Sequence, residues 1–81
     1  MSKSILRFAC HMQNELDNNS HKQGWHNLSP KWIIHRIKQE TAELEKAIID
    51  KKDINTIISE CADVADFAMM LADNLEKKGL L

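Results

Sequence analysis

Two pairs of carboxylates, each with its acids three residues apart, constrain this sequence more than any other feature. The pairs are Glu40 with Glu43 and Glu60 with Asp63. In a helix this spacing places both side chains on one face, and at about 100° per residue Glu40 and Glu60 fall inside apolar stripes. Burying a charged carboxylate without a partner is unfavourable. The sequence therefore predicts that the four acids meet around a compensating positive charge.

The residue types in the two pairs indicate what that charge is. All four side chains are hard oxygen donors, and neither pair contains Cys or His. Such ligands suit Mg²⁺ or Mn²⁺. A single pair of acids on a helix is commonly no more than a solvated face. Two pairs in register with the core stripes of consecutive helices favour a metal site.

Hydrophobic periodicity predicts an all-α chain with three main helices. Ser29 and Pro30 form a typical helix start, with the hydroxyl as N-cap and proline in the first turn. Gly79 is a typical C-terminal stop. Further N-caps are expected at Ser2 or Ser4 and at Asp53. The predicted helices cover about residues 4–17, 30–51 and 54–78.

Each helix carries an apolar face. In the first helix it contains Ile5, Phe8, Ala9, Met12 and Leu16, and in the second Trp32, Ile33, Ile37, Leu44, Ala47 and Ile48. In the third helix it contains Ile54, Ile57, Ile58, Cys61, Val64, Ala65, Phe67, Ala68, Leu71, Ala72 and Leu75. The third face is broader than one neighbouring helix needs, so we expect part of it to form a subunit interface.

The polar connection at residues 50–53 is short, and a short connection joins antiparallel helices. We therefore expect one domain spanning residues 1–81, in which an antiparallel helix hairpin carries the acidic motifs. At this length a single core is marginally stable. The sequence predicts a helical bundle completed by oligomerisation, as a homodimer or a homotetramer.

The segment between the first two helices contains Lys22, Gly24 and Trp25. A cation next to an aromatic plane is suited to contact a phosphate and a nucleobase, since aromatic rings stack on bases with little regard to their identity. In the alternative interpretation, Trp25 only packs this loop onto the helices. The loop by itself does not distinguish the two.

Composition narrows the classes of function. Twelve acidic and eleven basic residues give a net charge of −1, with the basic residues spread along the chain, which argues against a general nucleic-acid binder. No apolar run approaches the ~20 residues needed to cross a bilayer. Two cysteines and an N-terminal stretch unlike a signal peptide predict reduced thiols and a cytoplasmic protein without membrane contact.

The combined motifs support a resemblance to a known family. Lys-x-Gly-Trp at 22–25, Glu-x-x-Glu-Leu at 40–44 and Glu-x-x-Asp-Val at 60–64 stand in this order. In this respect the chain resembles the MazG-like all-α nucleoside triphosphate pyrophosphohydrolases, over about residues 5–76. The order of the motifs is fairly specific, although each motif alone is weak. Many members have an acid where this chain has Gln39.

The resemblance implies a Mg²⁺-dependent hydrolase that converts a nucleoside triphosphate to the monophosphate and pyrophosphate, as in nucleotide-pool house-cleaning. The implied metal ligands are Glu40, Glu43, Glu60 and Asp63. Glu40 or Glu43 would also act as catalytic base for the attacking water.

Two residues beyond the second acidic pair are candidates for substrate contact. Asp66 lies one turn after Asp63, and Phe67 is a candidate floor for a base pocket. The alternative for Asp66 is a solvated helix residue, and for Phe67 it is core packing.

Two other functions would also account for acids inside a helical bundle. A di-iron carboxylate bundle normally needs Glu-x-x-His pairs, and none of the four histidines follows a glutamate at that spacing. The stronger alternative is a non-catalytic helical oligomerisation module, in which the acids pair with Arg36 or a lysine across an interface.

Overall fold

The structure is a computed structural model that describes residues 1–19 and 24–79. Over these residues the chain forms three α-helices and no strand, which confirms the all-α prediction at this level. The helices are α1, Lys3–Asn18; α2, Pro30–Ile49; and α3, Ile54–Lys78. None of the three, as far as the structure describes them, has both the length and the apolar character that spanning a bilayer requires.

The predicted start signals are confirmed. The hydroxyl of Ser2 accepts a hydrogen bond from the backbone N–H of Ile5, and that of Ser29 accepts one from Trp32, both at 3.1 Å. Asp53 is the N-cap of α3, but its carboxylate accepts from the Thr56 hydroxyl instead of a backbone N–H.

The ends of the helices agree with the sequence nearly as well. Gly79 terminates α3 in the left-handed conformation, with φ at 65°. Helix α2 ends at Ile49, two residues before the predicted end. Lys51, in the connection, has a positive φ of 54°, which is an uncommon conformation for a residue with a side chain.

Helix α3 is the central element, because it packs against both α1 and α2. The core is centred on Ile33 of α2 with Phe67 and Met70 of α3. The half-buried apolar side chains packed around it are Leu16, Trp25, Leu28, Ile37, Met69 and Leu71. The bundle therefore has one small core, held from both sides of α3.

Two predicted core residues of α2 are largely outside the core. Trp32 is 42% exposed and meets the Phe67 ring edge-on, while Ile48 is 56% exposed. The residues of α2 that are buried are Ile33, Glu40 and Ala47, spaced seven apart. Because α2 packs on α3, one narrow stripe is covered and the flanking apolar positions remain at the surface.

The apolar face of α3 also differs from the prediction. Ile54 is 74% exposed, and Ala68 and Ala72 are exposed too. The buried residues of α3 are Ala62, Asp66, Phe67, Met70 and Asn74. Both α1 and α2 pack on α3. The buried face of α3 therefore lies further toward Asp66 than the predicted apolar face. The exposed large apolar side chains of the described helices are mainly on α1 and α2: Ile5, Leu6, Trp32, Ile34, Ile48 and Ile49.

Helix α1 is bound more loosely. It contains no fully buried residue among those described. Phe8, Met12 and Leu16 of its predicted apolar face are half-buried, whereas Ile5 and Ala9 are exposed. Its contact with α3 is therefore shallow compared with that of α2.

Candidate metal centre

The first acidic pair begins on the buried stripe of α2. Glu40 lies seven residues after Ile33 and seven before Ala47, and it is only 6% exposed. The structure thus places this carboxylate in line with the core, as the periodicity predicts. Glu43 lies one turn later and is exposed. The pair presents one buried and one solvent-accessible carboxylate.

Helix α3 supplies the opposing acids. One carboxylate oxygen from each of Glu40, Glu60 and Asp63 lies within 4.8 Å of the others. Two oxygens bound to a common Mg²⁺ at about 2.1 Å can be at most about 4.2 Å apart. Small side-chain adjustments therefore suffice for these three atoms to share an ion. Three of the four predicted ligands form this group, and Glu43 is close to both Glu40 and Glu60.

Arg36 neutralises part of the negative charge. Its Nη2 donates to Oε1 of Glu40 at 2.6 Å, its Nη1 donates to Gln39, and its guanidinium carbon lies 5.0 Å from the centre of the Phe67 ring. Oε2 of Glu40 and Oε2 of Glu60 are buried without a hydrogen-bond partner among the described residues. Buried acceptors of this kind are costly unless something satisfies them. One guanidinium leaves room for a further positive charge.

The electrostatics agree with that view. Burial, reinforced by the Glu43 carboxyl and by Glu60, raises the pKa of Glu40 to about 7 even though Arg36 acts in the opposite direction. Burial and the charges of Glu43 and Glu15 also raise the pKa of Glu60. Carboxyls whose pKa values are raised together gain from protons or from a bound cation.

Two acids of α3 continue the cluster toward α1. Burial and the nearby carboxyl of Glu15 raise the pKa of Asp63 to about 7, with further contributions from Glu40 and Glu60. Burial and then Glu15 raise the pKa of Asp66 to about 7 as well. Asp66 is 4% exposed, so the solvated interpretation is wrong for this residue.

Glu15 was not identified from the sequence, although the signal was present. It lies three residues after Met12 and seven after Phe8, on the half-buried face of α1. An acid on an apolar stripe is the same feature that identified Glu40. Glu15 has no second acid three residues away in the sequence, and a single acid on a separate helix is recognised as part of the cluster only once that helix is placed.

A cavity of about 60 Å³ opens between the three helices at this cluster. It is lined by Glu15, Leu16, Asn19, Arg36, Glu40, Asp63, Asp66 and Phe67. A cavity of this kind needs only about 10–15 Å³ to hold one water molecule. The space therefore suits an ion with water, and it is too small for a nucleotide.

The residues predicted to contact substrate do not lie together in one place. Phe67 is 3% exposed and belongs to the core, and it reaches the cavity as well. Trp25 is half-buried, its indole N–H donates to Asp73 at 3.0 Å, and its carbonyl accepts from Asn74 at 3.0 Å. These contacts anchor the loop to the C-terminal half of α3. Lys22 lies outside the described residues.

Comparison of the chain with models of protein families, with curated proteins and with solved structures found no match. The chemistry of the site therefore rests on its own geometry and on the motifs in the sequence.

Proposed function

We propose that this protein is a Mg²⁺- or Mn²⁺-dependent nucleoside triphosphate pyrophosphohydrolase that releases pyrophosphate and a nucleoside monophosphate. The observation that supports it most is the group formed by Glu40, Glu60 and Asp63 around buried oxygens without a partner. Hard oxygen donors of this kind suit Mg²⁺ or Mn²⁺. The substrate class comes from the resemblance of the motifs to MazG-like enzymes.

The ion would be held by Glu40, Glu43, Glu60 and Asp63. When bound, a divalent cation neutralises triphosphate charge and favours in-line attack by water. Glu43 is the better candidate for accepting the proton of that water, because it is exposed beside the cluster. Glu40 is buried, and one of its oxygens already accepts from Arg36. Arg36 thus orients Glu40 and limits the negative charge that an incoming phosphate meets.

The substrate itself must lie outside the small cavity between the helices. Asp66 and Phe67 line that cavity, so they are better suited to support the metal ligands and the bound water than to enclose a base. Trp25 and Lys22 remain the candidates for base and phosphate contact. The hydrogen bond from the Trp25 indole to Asp73 gives the ring a structural role in addition.

The proposed assembly is a homodimer or homotetramer in which an antiparallel hairpin of α2 and α3 is completed by a second copy. Exposed apolar side chains on α2, including Ile34, Ile48 and Ile49, provide a surface for it besides the expected contribution of α3. Light scattering at low micromolar concentration tests this: an active monomer near 9 kDa would refute it. Leu75→Glu should lower both assembly and activity if α3 contributes.

The same exposed side chains favour a second candidate function, a non-catalytic oligomerisation module. The two functions differ in what the acids do. Calorimetric titration with Mg²⁺ should give specific binding for the hydrolase. In a scaffold, specific Mg²⁺ binding should be absent, and Glu60→Gln should not reduce stability.

The direct test is a screen of nucleoside triphosphates with detection of released pyrophosphate. Glu60→Gln preserves volume and removes one charge from the cluster, so activity should fall by orders of magnitude while the helices persist. Glu76→Gln is a matched control on the same helix, because Glu76 is exposed and does not line the cavity at the cluster. Full activity in Glu60→Gln would exclude the proposed centre.

Trp25→Ala tests the loop. If the indole stacks on the base, nucleotide binding should weaken by about 1–3 kcal/mol, with less effect on free pyrophosphate. Asp73→Ala is the control that removes the hydrogen-bond acceptor of the indole and keeps the ring. Equal weakening for nucleotide and pyrophosphate would assign Trp25 a purely structural role.

A further inference from the structure

The cavity contains more negative charge than the proposed metal centre requires. Glu15, Asp63 and Asp66 line its α1 side, and Glu40 lines its α2 side together with Arg36. One divalent cation and one guanidinium supply three positive charges, whereas these four acids together with the half-buried Glu60 supply five negative charges when ionised. The remainder has to be neutralised by protons or by another cation.

Asp66 provides independent evidence for a ligand at this place. Its side chain is 4% exposed, and its Oδ1 is buried with no hydrogen-bond partner among the described residues. Arg36, the cationic residue that lines the cavity, is committed to Glu40 and Gln39. An ionised carboxylate of this kind would be strongly unfavourable without a partner.

We propose that the α1 side of the cavity is a second divalent-cation site, formed by Glu15, Asp63 and Asp66. Asp63 would be shared with the neighbouring centre of Glu40, Glu60 and Asp63, so the proposal rests on that centre for its position. The donors are again hard oxygens, which select Mg²⁺ or Mn²⁺. The volume of about 60 Å³ leaves space for water to complete the coordination.

Helix α1 would close this site. The Glu15 carboxyl already contacts that of Asp63 as a hydrogen-bond partner, but Glu15 and Asp66 are not part of the group whose oxygens lie within 4.8 Å of one another, so binding requires the three carboxylates to move closer together. Because α1 has no fully buried residue among those described, such a shift disrupts little packing. When ionised, the same three carboxylates repel one another without the ion and attract it together. Cation binding should therefore strengthen the contact between α1 and α3.

The test is the stoichiometry of Mn²⁺, measured on the full chain without nucleotide by calorimetry and by electron paramagnetic resonance. The wild type should bind two ions per chain, and sharing of Asp63 should broaden the Mn²⁺ spectrum when both sites are filled. Asp66→Asn and Glu15→Gln should each bind one ion and lose the broadening. Asp17→Asn is the matched control, an exposed acid on α1 whose carboxylate accepts from Gln13.

A single ion in the wild type, or two ions in both variants, would overturn the proposal. Asp66→Asn keeps the volume of the side chain, and Glu15→Gln changes a residue that is only half-buried, so each variant checks the other against failure to fold. The outcome is separate from that of the catalytic proposal. A protein that binds two ions but cleaves no triphosphate would retain this site and refute the hydrolase.

Discussion

The two contacts of α3 differ in what holds them together. On the α2 side, Ile33 packs with Phe67 and Met70, and Arg36 lies over the Phe67 ring. On the α1 side, the residues of α1 that contact α3 are at most half-buried, and Glu15 faces the acids of α3. The first contact is stabilised by removal of apolar surface from water. The second combines modest burial with like-charge repulsion, so its strength should depend on solution conditions.

The two contacts should differ most in the stability lost when one methionine on each side is truncated to alanine. Met70 is fully buried, and Met70→Ala should lower the free energy of unfolding by about 2–5 kcal/mol. Met12 of α1 is half-buried, and Met12→Ala should cost roughly 1 kcal/mol. Urea unfolding followed by circular dichroism measures both. Equal losses would show that α1 belongs to the same core as α2.

The next effect is that of pH on the metal-free protein. The folded pKa values of Glu40, Asp63 and Asp66 are about 7, whereas unfolded carboxyls titrate near pH 4. Between these values the folded state binds more protons, so the free energy of unfolding should fall as pH rises from about 4 to 7. Below about pH 4 both states are protonated, and this stabilisation is fully present.

Urea unfolding in chelator at pH 5.5 and 8 checks that sign. Glu15→Gln should reduce the fall, because Glu15 raises the pKa of both Asp63 and Asp66. Asp17→Asn should leave it unchanged. A wild-type protein that gains stability between pH 5.5 and 8 without metal would contradict the electrostatic difference between the two contacts.

The smallest effects are expected at the helix caps. Ser2→Ala and Ser29→Ala each remove one capping hydrogen bond, which is worth about 1 kcal/mol. Ser29→Ala should lower the free energy of unfolding of the whole protein. The loss at Ser2 should appear mainly as faster hydrogen exchange within α1, since loosely packed segments open separately. Ser4→Ala, inside α1, is the control, and global destabilisation by Ser2→Ala would disprove independent opening.

Local signals in the sequence predicted the helix ends well. Ser29 and Pro30 begin α2, and Gly79 ends α3, because caps depend on residues next to them in the chain. The grouping of Glu40, Glu60 and Asp63 was also accessible, since the register of each helix fixes which residues share a face.

Features that depend on how many helices pack around a residue could not be predicted from the sequence. Trp32 and Ile48 follow the helical spacing of core residues. They remain exposed because α3 covers only a narrow stripe of α2. Asp66 is buried because α1 also packs on α3, and Glu15 joins the acids for the same reason. Such placements follow from tertiary arrangement, which periodicity along one helix does not contain.

The left-handed conformation of Lys51 has a practical consequence for protein engineering. A residue with a Cβ loses about 1–2 kcal/mol in that region, whereas glycine adopts it freely at a smaller entropic cost. Lys51→Gly, in the connection between α2 and α3, should therefore raise the free energy of unfolding and give a more stable parent protein. Charge-removing variants of the acidic cluster made in that parent would tolerate larger losses before unfolding, which separates a damaged site from a damaged fold.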